Sequence, residues 1–351
     1  MMGKYKIGVI VFLLTACILG GCGNTSLESV KSSSATEDKV QIGMCFDSFV
    51  IERWQRDRDV FVSAAKEKGA EVNVQNANGD PKKQKEQIEY FIKKGMDVIV
   101  IISIDPEVIA DSVKKAQDEG IKVIAYDRPI TGAGADLYIS FDNEMVGEMM
   151  GQALVDSGLK NGKVVMICGS PTDKNVPMVC EGFERVMEEN GNEILDVFYA
   201  DGWKAEAAGD YVYSHPEIIE EADAVMCGND DLASKVVYAL SEKRLAGKKL
   251  VVGQDADLEA CQRIVEGTQL MTVYKPIEKL AGTAAEAAVA MALGEPLDSE
   301  LYEYDDGKKN VPYLKIETIS VSADNMDEVI VKSGFHLKED IYLNVPDKAS
   351  N

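Results

Sequence analysis

The chain is 351 residues long and 46% apolar, enough to bury a large core and to form two domains. A formal net charge of −23 excludes the basic footprint that nucleic acid requires, and it removes any electrostatic grip on anionic lipid headgroups. A small neutral or cationic partner is compatible with that charge.

Residues 1–21 read as a secretory signal. Lys4 and Lys6 give a positive start, and "IGVIVFLLTACILG" supplies the apolar stretch, too short for the roughly 20 apolar residues of a membrane span. The stretch ends in "LGGC", which has the form of a bacterial lipobox, with cleavage at Gly21/Cys22 and lipid on Cys22. Residues 22–39 follow as the lipidated cysteine and a Ser-rich polar tether. The chain is therefore expected to be extracytoplasmic and lipid-anchored, touching the membrane through that lipid only.

From Val40 onward, short apolar runs alternate with amphipathic segments. "VQIGMCF", "AEVNVQ", "MDVIVIIS", "IKVIAYD" and "LYISFD" come first, then "KVVMICG", "ILDVFYA", "ADAVMCG", "KLVVGQD" and "LMTVY". The intervening segments carry helix punctuation: 57–68 stops at Gly69, 81–94 at Gly95, 106–119 at Gly120 and 176–190 at Gly191. Strand–helix alternation predicts α/β architecture, with two doubly wound parallel-sheet lobes of about five strands each. The first boundary falls near "FDNEMVG", where Asp142 and Asn143 read as helix cap or hinge rather than ligand contact. After "LMTVYKP", residues 277–293 form an Ala-rich helix, and a further strand-like run suggests that the chain crosses back.

Beyond Cys17 and Cys22, five cysteines remain: Cys45, Cys168, Cys180, Cys227 and Cys261. Five cannot all pair, and no C-x-x-C or His-rich metal spacing occurs. They read as free thiols acting as small buried hydrophobes.

In open parallel sheets, ligands bind beyond the carboxyl ends of the strands. Those ends carry Asp47-Ser48, Asp105, Asp127-Arg128, Asp142-Asn143, Ser170, Asp201, Asn229-Asp230, Asp255 and Lys275. The chain's only tryptophans, Trp54 and Trp203, stand nearby. Asp accepts from a hydroxyl while Arg and Lys donate to one, and indole offers a flat apolar face; together these are the chemistry of a sugar site. Any single Asp or Asn there also reads as a helix N-cap, but Arg53, Arg128 and Lys275 are poor caps, and for them the site reading leads. No G-x-x-x-x-G-K-[ST], G-x-G-x-x-G or G-x-S-x-G stretch follows a strand. Neither histidine, His215 or His336, sits at a strand end, and no calcium-loop motif occurs. No catalysis, metal or cofactor is expected.

Eight stretches together, "IERWQRDRDVF", "VQNANGD", "VIAYDRPI", "YISFDNEMVGE", "GSPTDKNV", "GQDADLEACQRI", "GTQLMTVYKPI" and "SGFH", resemble the ribose/galactose-type periplasmic sugar-binding family that serves ABC transporters. The order of "ERWQ", "GQDAD" and "TVYKP" resembles its xylose-binding branch, and the likeness runs from about Val40 to His336. The resemblance implies the type I periplasmic binding protein fold, whose lobes are joined by a three-strand hinge and close over the sugar. It implies an N-terminal lobe of 40–142 plus 276–312 and a C-terminal lobe of 143–275 plus 313–340. By motif, the ligand contacts would be Arg53, Trp54, Asp127, Arg128, Asn175, Trp203, Asn229, Asp255 and Lys275. The implied partners are a monosaccharide, D-xylose, and an ABC permease, with the protein acting as a monomer. The alternatives are a sensor subunit for a membrane kinase, a receptor for glucose or another monosaccharide, and a secreted carbohydrate-active enzyme.

Overall fold

The computed structural model describes residues 39–51 and 53–350; the signal, Cys22 and the tether up to residue 38 lie outside the described residues. The chain runs β1 (Gln41–Phe46), α1 (Arg53–Glu67), β2 (Glu71–Asn76), α2 (Pro81–Lys94), β3 (Val98–Ile101), α3 (Pro106–Asp118), β4 (Lys122–Tyr126) and β5 (Leu137–Phe141). It continues α4 (Asn143–Asp156), β6 (Lys163–Cys168), α5 (Asn175–Glu189), β7 (Glu193–Tyr199), α6 (Ala205–Ser214), α7 (Pro216–Glu221), β8 (Ala224–Cys227), α8 (Asp230–Glu242), β9 (Leu250–Gln254), α9 (Leu258–Glu266) and β10 (Met271–Tyr274). After these come α10 (Ile277–Leu293), β11 (Tyr302–Asp305), β12 (Asn310–Ile316), β13 (Ile319–Val321) and the short α11 (Lys338–Ile341).

The strands form two sheets, ordered β11-β12-β5-β4-β3-β1-β2 and β13-β10-β9-β8-β6-β7. The first five strands of each half are parallel and share one winding: β2-β1-β3-β4-β5 is repeated as β7-β6-β8-β9-β10. The apolar runs explain this, because β3 (VIVI), β5 (LYISF) and β8 (AVMC) are buried at every residue, as parallel strands covered on both faces must be. The helices end where sequence chemistry stops them. Asp80 accepts from the Lys82 and Lys83 amides at the start of α2, Pro81 follows, and Gly95 closes the helix with φ +66°.

Three passages join the lobes, between β5 and α4, between β10 and α10, and between β12 and β13. The third lies after Ile316, later than the boundary at 312/313 read from the sequence. β12 stays paired with β5 through Ile316, and its Val311, Leu314 and Ile316 are buried. β11 was not expected at all; it forms an antiparallel hairpin with β12 at the sheet edge and buries little. Helix α1 begins at Arg53, four residues before the amphipathic pattern suggested, which puts Arg53 and Trp54 on rigid backbone.

Helices α4 and α5 pack backbone to backbone in the second lobe. A Cβ on Gly147 would lie 2.0 Å from the Val179 carbonyl, and one on Gly182 would lie 2.1 Å from the Glu144 carbonyl. Gly182→Ala is therefore expected to destabilise the protein by about 1–3 kcal/mol, read as a lower urea midpoint with an unchanged slope. An unchanged midpoint would mean that the helices are free to separate.

Candidate ligand-binding site

All nine residues named as ligand contacts line one cavity between the two sheets. The shared winding explains the convergence. In each half the strand order reverses between the first and third strands, and the loops leaving the carboxyl ends splay apart there. Arg53 and Trp54 follow β1, Asp127 and Arg128 follow β4, and Asn175 opens α5 after β6. Trp203 sits in the turn after β7, with Asn229, Asp255 and Lys275 at the ends of β8, β9 and β10.

The lining carries three cations, Arg53, Arg128 and Lys275, against three carboxylates, Asp127, Asp173 and Asp255. The lining charges are thus matched in number, and with buried Asp57 and Asp47 also paired to the two guanidiniums, no unmatched positive charge is left to favour an anion. The charges are fixed by one another. Arg53 Nη2 lies 2.7 Å from Asp127 Oδ2, its Nε is 3.2 Å from Asp57, and its Nη1 is 3.8 Å from Asp255. Arg128 reaches Asp47 at 2.7 Å and Asp173 at 2.6 Å, and Lys275 reaches Asp255 at 3.2 Å. Several of these contacts cross between the lobes: Arg53 to Asp255, Arg128 to Asp173, and Asn175 Nδ2 donating to the Asp127 carbonyl at 3.0 Å. Burial opposes ionisation of Asp127, yet Arg53, Lys275 and Arg128 outweigh it and hold its pKa below the usual carboxylate value. Behind the wall the balance tips the other way. Burial raises the Asp57 pKa despite Arg53, and Tyr126 donates its hydroxyl to the same carboxyl.

Among the described residues, some buried polar atoms in this wall have no hydrogen-bond partner: Trp54 Nε1, Gln254 Oε1 and Asp255 Oδ1, the last despite the nearby Lys275 ammonium. Buried polar groups are rarely left so, and a donor beside acceptors suits a ligand that both gives and takes hydrogen bonds. Backbone strain gathers here too. Asp127, Trp203 and Asp255 have φ of +62°, +59° and +100°, a region that non-glycine residues seldom adopt outside sites that need it. Gly169 lets the Trp203 ring lie on the backbone, since a Cβ there would stand 2.1 Å from ring carbon Cη2. Gly169→Ala is expected to displace the indole while leaving the sheet intact. It is checked by loss of ligand-induced fluorescence change at an unaltered unfolding temperature.

Residues 42–296 match a family model described as a periplasmic binding protein domain. The chain belongs to that family. It is 42% identical to the D-xylose-binding periplasmic protein of Haemophilus influenzae, over 90% of this chain and 96% of that protein. It is 41% identical to the D-xylose-binding periplasmic protein of Escherichia coli, over 94% and 98%. Among solved structures, a carbohydrate transporter solute-binding protein from Chloroflexus aurantiacus in complex with D-glucose superposes with a TM-score of 0.78 at 26% identity, covering 86% of this chain and 98% of that one. Periplasmic binding proteins are extracytoplasmic receptors.

The sequence reading passed over three polar residues of this periplasmic binding protein's cavity. Asp173 accepts from Arg128, from Trp203 Nε1 at 3.2 Å and from the Asn175 amide, so one carboxylate ties both lobes and an indole together. Its signal was present as the acid two residues before a helix in "SPTDKN". Asn143 lines the cavity, contrary to its reading as cap or hinge; Asp142 alone caps α4, accepting from the Met145 amide, and it also pairs with Lys315. Gln254 ends β9 unnoticed beside Asp255. Asp105 does not line this cavity; it caps α3, accepting from the Glu107 amide. Asn229 does both jobs, capping α8 through Leu232 N at 2.9 Å while lining the cavity. The five cysteines are buried and free.

Asp230 lies behind the cavity rather than on it. Its carboxyl accepts from Thr272 Oγ1 at 2.6 Å, Gln269 Nε2 at 2.8 Å and the Asp257 amide at 3.3 Å. Thr272 Oγ1 in turn accepts from the Ala256 amide, holding the strained turn that carries Asp255. Burial, only partly offset by Arg263, pushes the Asp230 pKa up to about 7. With a folded pKa raised above the unfolded value, the stability this acid contributes is complete at low pH and is lost as the pH rises through about 7. Asp230→Asn should flatten the stability profile between pH 5 and 8 (roughly the span about that pKa), measured by urea unfolding at each end. A variant as pH-dependent as the parent would show that another group titrates.

Proposed function

We propose that this chain is an extracytoplasmic receptor that encloses one neutral pyranose, D-xylose, between its lobes and delivers it unchanged to the permease of an ABC importer. The observation that carries the reading is the balanced cavity, with its paired guanidinium, ammonium and carboxylate groups and both tryptophans. A neutral polyol is the ligand that can use donors and acceptors equally without leaving a buried charge unmatched. In this reading Asp127, Asp173 and Asp255 accept from sugar hydroxyls, and Arg53, Arg128, Lys275, Asn175 and Asn229 donate to them. Trp54 and Trp203 cover the apolar faces of the ring. The groups are already oriented by their own ion pairs, so binding costs little reordering. Asp127, held ionised, is a good acceptor and a poor proton donor, as suits a receptor rather than a hydrolase.

The choice of D-xylose is supported by the two relatives of that name, each aligned over at least nine-tenths of both chains. Charge-assisted bonds of ~1.5–3 kcal/mol each would together exceed the about −8 kcal/mol of a micromolar site. Lobe closure and desolvation offset the excess. In this reading the protein works as a monomer and is held at the membrane by lipid on Cys22 after removal of residues 1–21.

Both tryptophans line the cavity, so their fluorescence reports on it directly. D-xylose should change the emission saturably, and D-xylonate, the same carbon chain bearing a carboxylate, should not. A response to the anion alone would overturn the neutral-ligand reading. Anchoring is tested separately: Cys22→Ser should release the chain into the medium without altering xylose binding, and retention at the membrane would exclude the lipid.

A further inference from the structure

Cys168 ends β6 and Cys180 lies in the second turn of α5, and their sulfurs stand 3.2 Å apart. Both are buried, and both line the ligand cavity. The other three cysteines make no sulfur–sulfur contact of this kind among the described residues; Cys261 Sγ points to the Ala256 carbonyl at 3.6 Å. A disulfide has an S–S length of about 2.05 Å, so the pair needs only about 1.2 Å of approach, within the reach of small side-chain rotations. Disulfides form and persist outside the cytoplasm, where this family acts.

We propose that Cys168 and Cys180 are a modification site, oxidised by a small-molecule disulfide to an intramolecular cross-link in the wall of the sugar cavity. The first thiolate attacks the oxidant's S–S bond, giving a mixed disulfide and one released thiol. The second thiolate then displaces the other thiol, forming the Cys168–Cys180 bond. Two protons leave the protein, its two sulfurs are oxidised, and the oxidant is reduced to two thiols. The closed loop contains Asp173, Asn175, Val176 and Val179, all cavity residues, so the cross-link tethers the segment that supplies one side of the site. Both sulfurs are buried in the cavity wall, out of an oxidant's reach while the lobes are closed, and contact with Cys180 and burial also push the Cys168 thiol pKa up. Oxidation therefore proceeds through the open form, and bound sugar slows it. This last point alone rests on the receptor reading.

The test treats residues 39–351, which form one compact unit, with oxidised glutathione. Remaining thiols are then alkylated in denaturant and peptides are mapped without reduction. The expected result is one Cys168–Cys180 peptide pair, two hydrogens lighter than the reduced pair, with Cys45, Cys227 and Cys261 alkylated. Cys180→Ala and Cys168→Ala should each abolish it and Cys45→Ala should not, with unfolding temperatures confirming that the variants fold. Five alkylated thiols, a glutathione adduct that never resolves, or a bond to another cysteine would overturn the proposal. At about 100 times its Kd, D-xylose leaves about one chain in a hundred unliganded and should slow the cross-link by about that factor. If calorimetry shows xylose bound and the rate is unchanged, oxidation through the open cavity is wrong. If xylose does not bind at all, the receptor reading fails while the peptide map still decides the cross-link.

Discussion

Arg53→Met is expected to lower the unfolding free energy by about 3–5 kcal/mol at pH 7 and to abolish sugar binding. The guanidinium is buried against Asp57, Asp127 and Asp255, and it lies 4.4 Å over the Trp54 ring. Methionine keeps much of the packing but takes the counter-charge from buried Asp57 and leaves Asp127 and Asp255 to Lys275 and Arg128. The sign of the pH dependence follows from Asp127. Its depressed folded pKa gives the parent stability that is present above the ordinary Asp pKa and is lost as the pH falls through the folded value. The variant lacks most of that contribution, so the gap between the two proteins is widest at neutral pH and narrows in acid. Urea unfolding at pH 7 and near pH 3, roughly a unit below the ordinary Asp pKa, measures it. A gap that is small at pH 7, or that widens in acid, would show that Arg53 does not hold these carboxylates.

Trp203→Ala is expected to weaken D-xylose binding by about 2–4 kcal/mol, or roughly 30- to 800-fold in Kd. The indole is held from three sides: its Nε1 donates to Asp173, its ring lies on Gly169, and its own backbone is strained. Such a fixed aromatic surface pays little conformational entropy when a sugar face settles on it. Tyr213→Ala, on the exposed face of α6, is the control and should leave Kd unchanged. A Trp203→Ala protein that binds as tightly as the parent would remove Trp203 from the site.

Much of this was legible in the sequence because the parallel βα unit is a simple device. Each apolar run ends on the same edge of its sheet, so the residue after each run, whether Asp127, Asn229, Asp255 or Lys275, is already placed near the cavity before any packing is known. Glycines after helices and prolines at their starts mark the elements between. What was hidden depends on how the lobes meet. Asp173 looks like a helix cap from its neighbours, and only the approach of Arg128 from the other sheet makes it a bridge. Asn143 and Asp142 are equivalent as cap candidates by type; which one turns inward is set by the path of the first passage between lobes. The Cys168–Cys180 contact likewise depends on the distance from a strand end to a helix face. Strand β11 was missed for a different reason. Its Tyr-Glu-Tyr-Asp alternation spans only four residues at an exposed sheet edge, although Asp306-Gly307 in its turn is a recognised hairpin signal.

The central claim is tested most directly by calorimetric titration of residues 39–351 with D-xylose, D-glucose, D-ribose and L-arabinose, followed by chromatography of the recovered sugar. The account predicts one-to-one binding that is tightest for D-xylose, with the sugar recovered unaltered. No heat with any of the four, or a chemically changed sugar, would contradict it.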